Sequence, residues 1–277
     1  MTVHRLTPPP RVRAPNRANG ETTQVQSLTR GLSILECLAR AEGGLTLTDI
    51  AQRVQLPAST THRLLATLEK MGYVHPMGDV SRWYVGLAAF TVGSSFLANR
   101  DFVAHSHPYM RRLMEQCGET ANLAILDDTE AVFIDQVQCR ETMRTIVKLG
   151  SRVPPHASGV GKAIFASLPD DQIDALIKVK GLPRITENTI TSPETTWASV
   201  RVIRQRGWSF DDEEHLPGTR CVAAPIYDEH AEALGAISLA GPSSRLPDSR
   251  IKQLGPLVAK MAEEITRRVG GRWPHPY

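Results

Sequence analysis

The chain lacks the features that mark disulfide-rich, zinc-binding and membrane-spanning proteins. Its four cysteines include no Cys-x-x-Cys pair, which argues against a disulfide framework and a structural zinc site. The nine histidines form no His-Glu-x-x-His pattern, and we expect neither a metal nor a cofactor. No stretch approaches the roughly 20 apolar residues that cross a bilayer, and no signal-peptide core opens the chain. We therefore expect a cytoplasmic protein without membrane contact.

The net charge of +3 is small, but the positive charge is unevenly distributed. The first 20 residues contain no acid, four prolines and four arginines: Arg5, Arg11, Arg13 and Arg17. This composition predicts a disordered basic tail over residues 1–25. Two interpretations of the tail stay open, contact with a phosphate backbone or a solvated leader without a role. The remaining length suffices for two domains of ordinary size.

Residues 45–72 have the pattern of a helix-turn-helix. Thr48 can cap the first helix, with Asp49 in its first turn near the positive end of the helix dipole. Pro57 follows the break and can begin the second helix, and Gly72 can end it. The second helix should bury one face, made of residues at helical spacing: Thr61, Leu64, Leu65 and Leu68.

The other face of the second helix carries small and basic side chains that suit a DNA duplex. Small hydroxyls let a helix approach the duplex closely, and Arg63 can reach a phosphate or a guanine edge. Residues 73–75 and 82–85 predict two strands of a wing, in which Arg82 lies against a neighbouring phosphate. The alternative is an ordinary helical hairpin with a β-ribbon, in which Arg63 is a solvated surface charge. The expected DNA contacts are Thr48, Ser59, Thr60, His62, Arg63 and Arg82.

Two further helical segments flank this region. Ser27 can cap a helix that runs to about Ala41, with an apolar face made of Leu28, Leu32, Leu35 and Ala39. Residues 87–117 predict a connecting helix, amphipathic up to residue 99 and interrupted by Pro108. Its apolar residues could pack on a partner chain or only within their own subunit.

From about residue 118 the pattern changes to alternating strands and helices. Strands are expected at residues 122–126, 131–137, 144–149, 208–211, 221–227 and 233–240. Helices are expected at residues 159–167, 170–178, 195–206 and 248–269. Hairpins flanked by helices indicate an antiparallel α+β domain of the sensor type, with residues 271–277 as a short tail.

The segment 158–163 indicates a ligand site in this domain. Its two glycines open a helix, so that the backbone N–H groups of residues 159–161 can bind an anion such as a carboxylate. It is not a Walker loop, because His156 replaces the earlier glycine and Ala163 replaces the magnesium-binding hydroxyl. A plain tight turn is the alternative.

Asp211, His215 and Cys221 allow an enzyme interpretation. Cys221 would be the nucleophile, His215 its base and Asp211 the orienting group. However, Cys221 begins an apolar run, which is typical of a buried strand residue rather than of an activated thiol. We therefore expect no catalytic residues, and a cysteine-dependent enzyme is the alternative.

Five segments resemble the signatures of one protein family, in the same order. They are SLTRGLSILE (27–36), LPASTTHRLL (56–65), GVGKA (159–163), GTRCVAAP (218–225) and SLAGP (238–242). The family they resemble is the IclR family of transcriptional regulators, and the resemblance covers roughly residues 25–270. It implies a winged helix-turn-helix over residues 26–86, a linker helix region over 87–117 and a GAF-like effector-binding domain over 118–270. It also implies a homodimer or tetramer.

The same resemblance implies a set of ligand contacts. In members that sense glyoxylate or pyruvate, these contacts correspond to Gly159, Val160, Asp211, Cys221 and Ser238 of this chain. A second serine is expected two residues after Ser238, but Ala240 stands there, so one hydroxyl donor is missing. Because an ionised Asp211 would repel an anion, Asp211 should face a hydroxyl or be protonated.

Together, the residues and the resemblance predict a DNA-binding transcriptional regulator. A small carboxylic acid would modulate its binding to a double-stranded operator, with glyoxylate or a related 2-oxo acid first and a larger aromatic acid as the rival. Paired recognition helices would enter successive major grooves. A ligand-binding module without DNA binding is a further alternative, and salt-dependent binding to a duplex distinguishes the regulator from both alternatives.

Overall fold

The computed structural model describes residues 25–78, 81–98 and 101–274. The predicted basic tail lies outside this range, apart from Val25, and so do residues 275–277 of the predicted C-terminal tail. The described chain divides between Ser95 and Phe96 into two compact units, the N-terminal and the C-terminal unit. No helix in the described ranges combines the length and the apolar character that a membrane crossing requires.

The N-terminal unit is a helix-turn-helix followed by a two-stranded wing. Its elements are α1 (Gln26–Ala39), α2 (Leu47–Arg53), α3 (Ala58–Lys70), β1 (Val74–Met77) and β2 (Arg82–Val85). The two strands are antiparallel, and Val74 pairs with Val85. Backbone hydrogen bonds of 2.8 and 3.2 Å between Leu45 and Trp83 tie the wing to the segment before α2. The apolar core joins helices and wing through Ile34, Leu38, Leu45, Ile50, Leu65, Val74 and Trp83.

Helix α1 buries a different face from the predicted one. Ile34 and Leu38 are buried, whereas Leu28 and Leu32 are 62% and 51% exposed. Of the predicted set, Leu35 alone packs against the core, where it is partly buried. Apolar residues at helical spacing occur on more than one face of α1, and packing against the other core residues decides which face is buried.

Two predicted helix caps are also wrong. Val25, not Ser27, occupies the N-cap position of α1, and it makes no side-chain cap hydrogen bond. Helix α2 begins one residue before Thr48, and Thr46 is its N-cap. The Asp49 backbone N–H donates to Thr46 Oγ1 at 3.2 Å, and the Thr46 backbone N–H donates to Asp49 Oδ2 at 3.1 Å. This reciprocal capping box satisfies two N–H groups at once, which a cap at Thr48 would not do.

The predictions for α3 are confirmed. Thr61 and Leu65 are fully buried, and Leu64 and Leu68 are half-buried beside them. Gly72 follows the helix with φ +76°, a left-handed conformation that glycine adopts without steric cost. The helix that is proposed to meet DNA is therefore held to the core along one face and free of it along the other.

Residues 87–117 form two helices, α4 (Leu87–Ala98) and α5 (Asp101–Cys117). The amphipathic character predicted up to residue 99 is wrong, because apolar residues lie on all sides of α4; none of its described side chains is buried. Pro108 was predicted to interrupt the helix, but α5 continues through it. Buried side chains on both sides of the proline, including Phe102 and Leu113, fix α5 in the core and so offset the missing hydrogen bond.

The C-terminal unit contains a six-stranded antiparallel sheet in the order β5-β4-β3-β8-β7-β6. Its strands are β3 (Thr120–Asp127), β4 (Glu130–Val137), β5 (Arg152–Val153), β6 (Ser209–Asp212), β7 (Thr219–Tyr227) and β8 (Ala233–Pro242). Its further helices are α6 (Gly159–Ala166), α7 (Asp170–Lys180), α8 (Pro193–Arg206) and α9 (Asp248–Arg268). The predicted α+β class is confirmed.

The two faces of this sheet pack against different helices. One face meets α5 and α9 and is lined by residues such as Leu123, Val222 and Leu239. The other face meets α6, where Ala223 and Ala236 contribute to a smaller apolar cluster. Successive strand residues point to opposite faces, so the parity of a residue along its strand decides which helix it meets.

The strand predicted at residues 144–149 is wrong. Residues 144–148 have no regular structure, and the chain joins the sheet only from Gly150 onward, where the Gly150 N–H donates to the Phe133 carbonyl at 2.7 Å. Arg144 instead uses its side chain locally, and its Nη1 donates to the Glu141 carbonyl at 3.2 Å. A β-rich composition is therefore compatible with an extended loop, because β propensity depends strongly on context.

Replacement of the Thr46 cap tests the capping box. Thr46→Ala should lower the free energy of unfolding by about 1 kcal/mol, since it removes the acceptor of the Asp49 N–H and a donor to its carboxylate. Thr48→Ala, inside the same helix, is the matched control and should have little effect. Urea unfolding of the full chain, followed by circular dichroism, measures both. A larger loss for Thr48→Ala would contradict this assignment.

Candidate functional site

The exposed face of α3 carries the side chains that the sequence assigned to DNA. Ser59, His62 and Arg63 are exposed, and Thr60 is half-buried. Thr48 is exposed on α2. Because the buried face of α3 fixes the orientation of the helix, these side chains are presented together on the surface of the N-terminal unit. Their contact with DNA is a prediction that the geometry permits.

Arg82 is partly engaged within the wing. Its Nη1 donates to the Gly44 carbonyl at 3.1 Å, which holds the guanidinium at the base of the wing, while the residue as a whole is exposed. Gly44 adopts φ +72°, and a Cβ there would lie 2.6 Å from the Tyr84 ring. Only glycine fits this corner, so the anchor of Arg82 depends on it.

The cross-strand register of the C-terminal sheet brings polar residues into two adjacent rows. Asp211 pairs with Cys221, and Cys221 pairs with Ala240. In the next row Ser238 pairs with Asn122. Paired residues share a face of the sheet, and so do residues two positions apart. Cys221 is two positions from Ala223, and Ser238 is two positions from Ala236, which both face α6. The rows therefore lie on the α6 side of the sheet.

These rows form one wall of a cavity of about 290 Å³. All five expected effector contacts line it: Gly159, Val160, Asp211, Cys221 and Ser238. Ala240 also lines it, at the position where the family resemblance implies a second serine. The lining also includes aliphatic and aromatic side chains: Phe133, Ile146, Val147, Val153 and Leu216. A polar floor and an apolar wall are typical of sites that orient a small organic ligand.

The start of α6 lies directly against β7. A Cβ at Gly159 would lie 2.5 Å from Cys221 Sγ, and a Cβ at Gly161 would lie 2.7 Å from Pro155 Cα. Neither glycine has a positive φ, and both lie in the first turn of α6, where the lack of a Cβ allows this close packing. The Gly161 N–H donates to Ser158 Oγ, the N-cap of α6, at 3.2 Å. Within α6, the residues that line the cavity are Gly159 and Val160.

Asp211 is a buried acid with an unusual charge state. It is 5% exposed, and burial raises its pKa to about 7, although nearby Lys162 lowers it in part. Its Oδ1 accepts from the Glu214 backbone N–H at 2.8 Å, which fixes the carboxyl group in the turn after β6. Near neutral pH a large share of Asp211 is therefore protonated and can donate a hydrogen bond.

A buried ion pair lies beside the cavity, and the sequence analysis missed it. Lys162 of α6 pairs with Glu214 and also donates to the Phe210 carbonyl. Both side chains of the pair are almost fully buried, and Glu214 Oε2 has no hydrogen-bond partner in the part of the chain that the structure describes. A lone lysine inside the apolar run of α6 was the available signal. The pair fixes α6 to the turn that follows β6, the strand that carries Asp211.

The geometry does not support the cysteine-dependent enzyme. Cys221 is buried, and burial with the adjacent Asp211 charge raises the pKa of its thiol to about 12. A thiol in this state is not a nucleophile at neutral pH. His215 lines the cavity, but its buried Nδ1 has no hydrogen-bond partner within the described ranges. Burial lowers the pKa of His215, and the orienting contact that a catalytic base needs is absent there.

Two family models match the chain. The IclR helix-turn-helix domain matches residues 27–76, and the C-terminal domain of the bacterial transcriptional regulator IclR matches residues 94–267. The acetate operon repressor of Salmonella typhimurium is 50% identical over 252 residues, which cover 90% of this chain and 92% of that protein. The transcriptional repressor IclR of Escherichia coli K12 is 48% identical over 267 residues, which cover 95% of this chain and 97% of that protein.

Solved structures show the same architecture. A crystal structure of an IclR homolog from Microbacterium hydrocarbonoxydans, complexed with 4-hydroxybenzoate, superimposes with a TM-score of 0.75. The match covers 87% of this chain and 99% of that one. At 23% identity it shows a shared fold and nothing more. The winged helix-turn-helix, the α+β unit and the two family models agree: the chain belongs to the IclR family of bacterial transcriptional regulators.

Proposed function

We propose that this regulator is a repressor whose affinity for a DNA operator changes when a small carboxylic acid occupies the cavity of the C-terminal unit. The observation that carries the proposal is the polar floor of that cavity, built from two paired rows of the sheet beside a helix N-terminus. The names of the Salmonella and Escherichia relatives favour repression over activation. Transcription would then resume or stop according to the supply of the acid.

For the DNA contacts we propose the face of α3 and the wing. Ser59, Thr60, His62 and Arg63 would enter the major groove, while Thr48 and Arg82 would contact the flanking phosphates. The support is their shared exposure on a helix whose other face is locked into the core. The free part of the Arg82 guanidinium is the part available to a phosphate, since Nη1 is held by Gly44.

For the effector we propose a 2-oxo acid, with glyoxylate first. Its carboxylate would lie at the N-terminal end of α6, where the N–H groups of Gly159 and Val160 and the helix dipole favour an anion. Ser238 would donate to an oxygen of the acid, and protonated Asp211 would donate where an ionised one would repel. Cys221 is a small neutral wall residue in this arrangement.

The cavity also favours the rival, a larger acid with an apolar body. Its 290 Å³ lies near the lower end of known ligand sites, roughly 300–1,000 Å³, and it exceeds the needs of a two-carbon acid. Phe133, Ile146 and Leu216 offer contact area to such a body. The 4-hydroxybenzoate complex of the Microbacterium homologue is an example of an aromatic acid in this fold.

We further propose that the protein acts as a homodimer or tetramer in which α4 contributes to the contact between subunits. Leu87, Phe90, Val92 and Phe96 are large apolar side chains that are between 44% and 76% exposed. None of the side chains described for residues 87–96 of α4 is buried, and a cluster of exposed apolar side chains is typical of an interface. Two subunits would supply the paired recognition helices that a palindromic operator needs.

The DNA assignment predicts a specific loss for Arg63→Ala. Binding to the protein's own upstream promoter DNA, followed by fluorescence anisotropy at fixed salt, should weaken by about 1–3 kcal/mol if Arg63 contacts a base. Arg201→Ala, which removes an exposed positive charge from α8, is the matched control and should bind as the wild type does. Equal losses on promoter and random DNA would move Arg63 from a base to a phosphate. Unchanged binding to both would refute the proposed face.

The interface assignment predicts a change of mass. Phe90→Glu should shift the protein toward monomers in size-exclusion chromatography with light scattering, because a charge would be buried against apolar side chains. Val179→Glu, at a residue that is 74% exposed on α7, is the control and should leave the mass unchanged. A wild-type monomer, or a Phe90→Glu protein of unchanged mass, would count against this role of α4.

The effector assignment predicts a pH dependence. An acid effector is an anion throughout the range, so it should bind best while Asp211 is protonated. Because the pKa of Asp211 is about 7, the affinity for glyoxylate, measured by calorimetry, should fall about tenfold from pH 6 to pH 8. Asp211→Asn should flatten this profile, because the amide neither ionises nor repels.

Asp171→Asn, at an exposed position of α7, is the control and should keep the wild-type profile. Burial lowers the pKa values of His156 and His215 and so favours their neutral forms. A wild-type affinity that is equal at pH 6 and pH 8, or a profile that survives in Asp211→Asn, would contradict the role given to Asp211.

A further inference from the structure

A chain of side-chain hydrogen bonds runs from the protein surface to the floor of the cavity. Arg144 Nε donates to Gln138 Oε1 at 3.2 Å, and Gln138 Nε2 donates to Gln136 Oε1 at 3.0 Å. Gln136 Nε2 donates to Asn122 Oδ1 at 2.8 Å. The last link, from Asn122 Nδ2 to Ser238 Oγ, is the longest at 3.5 Å. Four residues, of which Gln136 lies on β4 and Asn122 on β3, thus lead to one hydroxyl on β8 that lines the cavity.

All donors in this chain point the same way. A guanidinium can only donate, so Arg144 requires the carbonyl oxygen of Gln138 to face it. The NH₂ group of Gln138 then faces the next residue, and the same choice passes to Gln136 and Asn122. An amide turned alone would place two NH₂ groups or two carbonyl oxygens against each other. The orientation of each amide is therefore set by the charged residue at the outer end.

The inner end of the chain is buried, where orientation matters most. Asn122 and Ser238 are 1% and 0% exposed, and Asn122 lines the cavity floor beside Ser238. A buried polar group that lacks a partner is unfavourable, so the bond from Gln136 helps to hold the buried Asn122 amide in its orientation. Since Ser238 Oγ accepts from Asn122, its own hydrogen is left to be donated elsewhere, to the Cys221 sulfur or to an acceptor in the cavity.

We propose that Asn122, Gln136, Gln138 and Arg144 are positioning residues that make Ser238 a hydrogen-bond donor toward the effector. The floor of the cavity then offers a hydrogen to a ligand acceptor such as a carboxylate or oxo oxygen. This inference rests on the proposed function of the cavity as an acid-binding site. It adds a reason for the preference for an acid that does not come from charge.

Reversing the direction of the hydrogen bonds at Gln136 tests the proposal. In Gln136→Glu the new carboxylate can only accept, so the Asn122 amide should turn its NH₂ group toward position 136 and its carbonyl oxygen toward Ser238. Ser238 would then donate to Asn122 and present a lone pair to the cavity. Gln136→Met keeps a side chain of similar length but removes the preference, and Gln172→Glu adds the same charge at an exposed position of α7.

The first readout is the orientation of the Asn122 amide, by nuclear Overhauser contacts of its side-chain NH₂ protons in the full-length protein. These contacts should join Ser238 Hβ in the wild type and the side chain at position 136 in Gln136→Glu. Contacts to Gln136 in the wild type would overturn the proposal. This readout needs no ligand, so it is independent of the effector assignment.

The second readout is the affinity for glyoxylate by calorimetry. The wild type and Gln172→Glu should bind equally, Gln136→Met a few-fold more weakly, and Gln136→Glu at least tenfold more weakly, with melting temperatures alike. Because an added charge alone also weakens anion binding, this order supports the proposal only together with the turned amide. Gln136→Glu binding as tightly as Gln136→Met would overturn it. A wild type that binds no glyoxylate would instead overturn the proposed effector, while the amide contacts still decide the orientation of the chain.

Discussion

The register of the C-terminal sheet is the constraint on which the candidate site depends. Cross-strand pairing of Asp211, Cys221 and Ala240, beside the pair of Ser238 and Asn122, places polar groups on a face that is otherwise apolar. A slip of one residue would turn these side chains to the face that meets α5 and α9. The close approach of α6, which glycine at position 159 permits, then closes the cavity over the rows.

The sequence predicts what depends on local rules. The helical spacing of Thr61, Leu65 and their neighbours, the stop at Gly72 and the two strands of the wing all follow from patterns within a few residues. The residues that the family resemblance implies for the effector do line one cavity. The error at Thr48 was avoidable, because the Thr46–Asp49 capping box is visible in the sequence at the spacing that such a box requires.

The features of the structure that could not be predicted from the sequence depend on contacts between distant segments. Nothing local shows that Lys162 meets Glu214, or that Gln136 orients Asn122, because each pair is brought together by the sheet. The face of α1 that is buried and the loop at residues 144–148 were misassigned for the same reason. In each case tertiary packing decided between options that local propensity leaves nearly equal.

Coupling between acid binding and operator binding can be measured from both sides, because the two equilibria are thermodynamically linked. Operator affinity is measured by anisotropy of promoter DNA with and without glyoxylate at fixed salt, and glyoxylate affinity is measured with and without saturating operator. The account predicts equal changes in both, about 5–150-fold, since coupling free energies are reciprocal. Specific DNA binding that is indifferent to glyoxylate, to pyruvate and to 4-hydroxybenzoate alike would contradict the account.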